Sequence, residues 1–182
     1  MTIQPDTKNW TWVLERPCEE CGFDAAGWFR EDVEHAARTQ GDVWTRLLAD
    51  PRVRERLLAD QWSALEYGCH VRDVFRLALF RTRLMLDEDE PRFPNWDQDE
   101  TAVADRYAEQ DPAVVTAELV EAAEGFADVL AEVGAAAAGT WERGGLRSDG
   151  ARFTVESFAR YLIHDPIHHV VDVERGYAVS GG

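Results

Sequence analysis

The residues with the plainest chemistry lie near the C-terminus, in Arg160-Tyr161-Leu162-Ile163-His164-Asp165-Pro166-Ile167-His168-His169-Val170-Val171-Asp172-Val173. Three of the five histidines of the chain fall in this stretch. His164 and His168 are four residues apart, so on a helix they share one face and can close on a single metal ion. His70 lies in another helical segment and is the natural third donor. Three neutral imidazoles are the ligand set of a catalytic zinc-type centre, which keeps its fourth position open for water or substrate. Nickel, iron or cobalt would accept the same donors. The expected metal ligands are therefore His70, His164 and His168. His169 is turned well away from their face and is left out of the set. Asp172, and Asp73 or Glu66 beside His70, could accept the second ring N–H of a ligand and fix its tautomer.

These donors need helices to carry them. Asp24 can cap a first helix over 25–48, with Trp28, Phe29, Val33, Ala36, Trp44, Leu47 and Leu48 as its apolar stripe. His35 on it has no partner at i+3 or i+4 and reads as a surface or packed histidine. An arginine-rich link over 50–62 follows. Ser63-Ala64-Leu65-Glu66 is a capping box, and it predicts a well-buried second helix over 64–86 that carries His70. Residues 87–100 form an acidic loop with two prolines, in which Phe93 and Trp96 could cover a pocket; the alternative is a plain surface crossover. A short helical piece is expected over 102–109. Asp111-Pro112 opens a third long helix reaching about residue 138, with proline where its missing N–H costs nothing. Gly144-Gly145 and Asp149-Gly150 mark turns. Thr154 then caps a fourth helix over 155–175, with Pro166 set to kink it between the two histidines. With no convincing strand, the fold expected is all-α, a four-helix bundle. It divides into an irregular N-terminal arm (1–23), the bundle (24–176) and a flexible tail (177–182).

Bulk properties narrow the partners. A chain of 182 residues suits one domain with a real core. The formal net charge of -16 argues against nucleic acid and against an anionic membrane surface. No apolar run reaches the ~20 residues needed to span a bilayer. The start, Met1 to Asp6, lacks the basic and apolar regions of a signal peptide. The expected setting is the cytoplasm. Three cysteines do not make a disulfide framework there. Cys18-Glu19-Glu20-Cys21 reads as a turn with incidental or weakly redox-active thiols, because a zinc ribbon would need a second such pair.

The segment from Trp62 to Val74, together with Tyr161 to His169, resembles the second and last helices of the DinB-like family. The similarity covers about 24–175 and leaves the arm with Cys18 and Cys21 outside it. The resemblance implies a four-helix bundle, often a homodimer, holding zinc or nickel on His70, His164 and His168. Some members are thiol-dependent transferases or isomerases, including mycothiol-dependent maleylpyruvate isomerase and the bacillithiol transferases. The added C-terminal domain of that isomerase is not recognised in this sequence, which sets its particular activity apart. One reading is then an enzyme in which the metal activates a low-molecular-weight thiol such as mycothiol, or water, against an electrophilic substrate. Asp73, Glu66 and Tyr161 are its candidates for proton transfer, and Arg72, Arg76 or Arg160 could hold a substrate carboxylate. The other reading is a non-catalytic, metal-stabilised and stress-responsive binding or scaffold bundle.

Overall fold

The computed structural model describes residues 9–59 and 61–179. The signal-peptide reading of residues 1–6 and the end of the tail at 180–182 lie outside the described residues. Four long helices make a bundle: α1 (Arg30–Leu48), α2 (Ala64–Asp87), α4 (Pro112–Ala135) and α5 (Val155–Val179), with the short α3 (Gln98–Ala104) between α2 and α4. Helix α4 packs on α1 and α2, and α5 packs on the same two from the other side. Thus α1 and α2, consecutive in sequence, stand at opposite corners. Trp44, Phe75, Phe126, Leu119, Leu130, Phe158 and Ile163 are fully buried between the helices. No helix among the described residues is long and apolar enough to cross a membrane.

Local chemistry explains most of the boundaries. Ser63 and Glu66 exchange hydrogen bonds with each other's backbone amides and start α2 where the sequence places it. Asp111 accepts from Ala113 and Val114, with Pro112 in the first turn of α4. Thr154 and Ser157 make the same kind of reciprocal pair at the start of α5. Gly68 lets α2 pass so close to Leu48 that a Cβ there would stand 2.8 Å from its methyl carbon.

Four expectations need correction. Asp24 caps a 3-10 turn over Ala25–Gly27, and α1 begins only at Arg30, with the Asp32 carboxylate accepting the Phe29 N–H at 2.7 Å. The short helix covers Gln98–Ala104 rather than 102–109, because Asp97 caps it, and a 3-10 turn over Tyr107–Glu109 follows. Two strands do occur, β1 (Gly144–Leu146) and β2 (Arg152–Thr154), paired antiparallel around the Asp149-Gly150 turn. Three residues per strand are too few for a period-2 pattern to be legible. The tail is helical to Val179, because Gly176 is buried and the Tyr177 hydroxyl donates to the Leu47 carbonyl at 2.9 Å. Helix α5 also runs on through Pro166, which is itself buried.

Glu66 is buried and takes hydrogen bonds from Ser63 and Arg56. Burial opposes its ionisation, yet these bonds outweigh burial and hold its pKa below the ordinary 4.5. A carboxylate with a lowered folded-state pKa stabilises above its unfolded value and loses that contribution as pH falls through the folded one. Glu66→Ala is expected to cost about 1.5–3 kcal/mol at neutral pH, measured by urea unfolding, with the gap to wild type closing as the pH is taken well below 4.5.

Candidate metal centres and their cavity

Helix α5 carries five chemistry-bearing residues within nine positions: His164, Asp165, His168, His169 and Asp172. At about 100° per residue they divide into two sectors, His164 with His168 and Asp165 with His169. Each sector meets a different partner. His70, buried on α2, faces Asp165, with its Nε2 3.2 Å from the Asp165 Oδ1. The Nε2 of His169 lies 3.8 Å from the same oxygen. His164 and His168 instead face the N-terminal segment, where the Sγ of Cys18 comes within 3.7 Å of the His168 Nδ1.

Two groups of donors follow, each able to bring its ligand atoms within 4.8 Å of one another: Cys18, Cys21, His164 and His168, and separately His70, Asp165 and His169. Among the described residues no such group joins His70 to His164 and His168. The three expected histidines are all buried and all in donor clusters, but they fall in two clusters. Sequence spacing found the i, i+4 pair and missed its neighbour, Asp165 with His169, which has the same spacing. That second pair was the available signal.

The His70–Asp165–His169 group fits a divalent cation. Donors about 2.0–2.2 Å from a tetrahedral ion stand roughly 3.3–3.6 Å apart. The 3.2 Å between His70 and Asp165 is close to that edge, and His169 lies slightly outside it. The Nδ1 of His169 is 2.9 Å from the Asp172 Oδ2. This contact places the proton on Nδ1 and leaves the Nε2 lone pair facing Asp165, as metal-binding imidazoles require. Burial raises the pKa of Asp165, but its interactions with His70 and His169 outweigh burial and keep it below the carboxylate range. Trp96 stacks on the His70 ring at 5.6 Å and 15°, and Trp62 packs on it at 5.5 Å. A wall of this kind excludes water from the ligand. In the other group, burial and the neighbouring His168 push His164 down to about 4, so its ring is neutral at neutral pH, with one N–H and one nitrogen lone pair.

Asp165 and His169 of one group and His164 and His168 of the other line one cavity of about 610 Å³ between α2, α5, the N-terminal segment and the loop carrying Asn95 and Trp96. Arg81 and Arg147 are its cationic groups, with Trp10, Trp62, Trp96 and Tyr161 as aromatic walls. Burial brings Arg81 down to about 10, and its Nε is buried with no hydrogen-bond partner. Arg147 donates to the Tyr161 hydroxyl at 3.0 Å and is paired with Asp149.

The other expected residues are placed as follows. Tyr161 lines the cavity. Glu66 is engaged in the cap of α2 and with Arg56. Asp73 is held by Arg72 at 2.8 Å and by the Tyr107 hydroxyl at 2.5 Å. Neither Glu66 nor Asp73 lines the cavity. Arg72 and Arg76 are paired with Glu118, and Arg160 with Glu156. Phe93 is buried in the core, whereas Trp96 does cover part of the site. His35 is exposed on α1, away from both groups.

A sequence model of the DinB superfamily matches residues 29–172. The chain belongs to the DinB superfamily. In three dimensions this member is similar to YfiT from Bacillus subtilis, described as a probable metal-dependent hydrolase with an unusual four-helix bundle topology. The TM-score is 0.69 at 17% identity, over 82% of this chain and 87% of that one. That likeness concerns the fold, and it matches the bundle found here. Comparison with curated proteins gives no match. The DinB match starts after Cys18 and Cys21, so one of the two donor groups draws half its residues from outside the matched region.

Asp172 orients His169 without belonging to either donor group. Asp172→Ala is expected to weaken divalent-metal binding by about 10–100-fold, read by competition against a chromophoric chelator.

Proposed function

We propose that the protein is a metal-dependent enzyme that uses a low-molecular-weight thiol of the mycothiol type as cosubstrate, acting as an S-transferase or isomerase on an electrophile bearing an anionic group. The observation that carries this reading is a three-donor set, His70, Asp165 and His169, of which Asp165 and His169 line a cavity with two guanidinium groups. Three protein ligands leave a position open, whereas four close it. We take His70, Asp165 and His169 as the ligands of a zinc- or nickel-type ion in place of the three-histidine set. When bound, such an ion lowers the pKa of a thiol or water in its open position.

The chain's own residues supply binding and orientation. A volume of about 610 Å³ is in the range that holds small organic ligands. Asn9, Gln61, Asn95, Gln98 and Asp99 give the cavity rim the donors and acceptors that a polyhydroxylated thiol requires, and Trp62 and Trp96 give flat apolar faces beside them. Arg81 and Arg147 can take a carboxylate. Tyr161 keeps its proton at neutral pH, because burial raises its pKa, and its O–H can donate to a substrate oxygen. A thiol cosubstrate of this kind fits work in the cytoplasm, and we extend the family expectation of a homodimer to this chain. Hydrolysis with water in the open position is the related reaction that the same arrangement could support.

The test is turnover by metal-loaded protein given mycothiol, bacillithiol or glutathione with an anionic electrophile. His169→Ala is expected to abolish turnover, and Arg147→Ala to raise KM for the electrophile by about tenfold or more. Equal rates in wild type and His169→Ala would overturn the reading. Turnover of an activated ester without any thiol would assign the site to hydrolysis instead.

A further inference from the structure

We propose that Cys18, Cys21, His164 and His168 form a second and closed metal site, a Cys2His2 zinc centre that fastens the N-terminal segment to α5. The four residues come from the two ends of the chain, and each offers a donor atom within 4.8 Å of the others. Tetrahedral zinc, with Zn–S of about 2.3 Å and Zn–N of about 2.0–2.1 Å, sets a sulfur-to-nitrogen edge of roughly 3.5–3.6 Å. The Cys18 Sγ and His168 Nδ1 are 3.7 Å apart. His164 is only 3% exposed, and its Nε2 is buried with no hydrogen-bond partner. A buried imidazole nitrogen in that condition costs free energy unless something accepts its lone pair or its proton.

The backbone around the cysteines is shaped for a ligand pair. The Gly22 N–H donates to the Cys18 carbonyl at 2.7 Å, and the Cys18 N–H donates to the Phe23 carbonyl at 2.8 Å. Gly22 has φ +77°, which glycine adopts without strain. The resulting tight loop brings the two sulfurs into contact, and the Phe23 amide also reaches the Cys21 sulfur. All three cysteines of the chain are free.

Charge favours the ion over any other occupant. On binding, each thiol gives up one proton to solvent, and two thiolates with two neutral imidazoles around Zn²⁺ carry no net charge. A neutral complex can be buried among Trp10 and Phe23 without a counter-ion, and both rings pack within 5.4 Å of the His164 ring. With His168 bound through Nδ1, its Nε2–H is left toward Asp172 and Glu20, each 3.6 Å away. Four protein ligands leave no open position, so this centre is structural. What it holds in place is one wall of the cavity, because Asn9, Trp10 and Glu20 of the same segment line it.

This centre does not depend on the proposed activity, and its test is separate. Apo-protein is reconstituted with Co²⁺ and its absorption spectrum recorded. Wild type is expected to show an intense sulfur-to-cobalt charge-transfer band together with tetrahedral d–d bands. His169→Ala, altered only at the three-donor site, should keep both. The Cys18→Ser/Cys21→Ser protein should lose the charge-transfer band, and should contain one equivalent less zinc than wild type by elemental analysis. The wild-type spectrum decides the matter even if the double variant fails to fold. A cobalt-loaded wild type without that band, or a Cys18–Cys21 disulfide in protein purified under reducing conditions, would overturn the proposal.

Discussion

The angular step of an α-helix governs this molecule's chemistry. Successive residues on α5 point about 100° apart. His164 and His168 therefore face one way, and Asp165 and His169 face another. A single helix serves two donor groups at once, one completed by α2 and the other by the N-terminal segment. Asp172 lies between them, 2.9 Å from His169 and 3.6 Å from His168. Everything else in the bundle has to hold α5 in a rotation that presents both sectors correctly. The apolar contacts of Phe158, Leu162, Ile163 and Val173 do this, because a rotated helix would expose them.

The cavity combines features that are costly in isolation. A guanidinium as buried as Arg81 pays a desolvation penalty, which brings its pKa down to about 10. It keeps one bond to the Pro94 carbonyl and a face against Phe93, but its Nε has no partner. His164 and His168 are also driven toward neutrality by burial. These are the conditions under which imidazoles are available as metal ligands and a guanidinium gains most from an anionic guest.

The two donor groups differ in the number and softness of their atoms. Three hard-to-borderline donors beside a polar cavity leave room for a reacting ligand. Two sulfurs and two imidazoles shielded by Trp10 and Phe23 do not. Placed side by side, the second group would make the N-terminal segment part of the cavity wall, although the match to the DinB superfamily begins only at residue 29. The superfamily scaffold and the cysteine-bearing segment thus meet at one helix.

The sequence determined the bundle, because four amphipathic stretches and the caps at Ser63, Asp111 and Thr154 are local signals. It also pointed to α5 and His70 as carriers of candidate donors, because rare residue types at helical spacing are visible without any structure. Only the tertiary structure decided how those residues are grouped. His70 pairs with Asp165 and His169 because α2 packs on that sector of α5. Cys18 and Cys21 meet His164 and His168 across the whole length of the chain, a contact that no local pattern encodes. The surroundings of Glu66 and Asp73 also emerge only in three dimensions. Arg56, Arg72 and Tyr107 reach them first, and a carboxylate already paired within the framework is no longer available to the cavity.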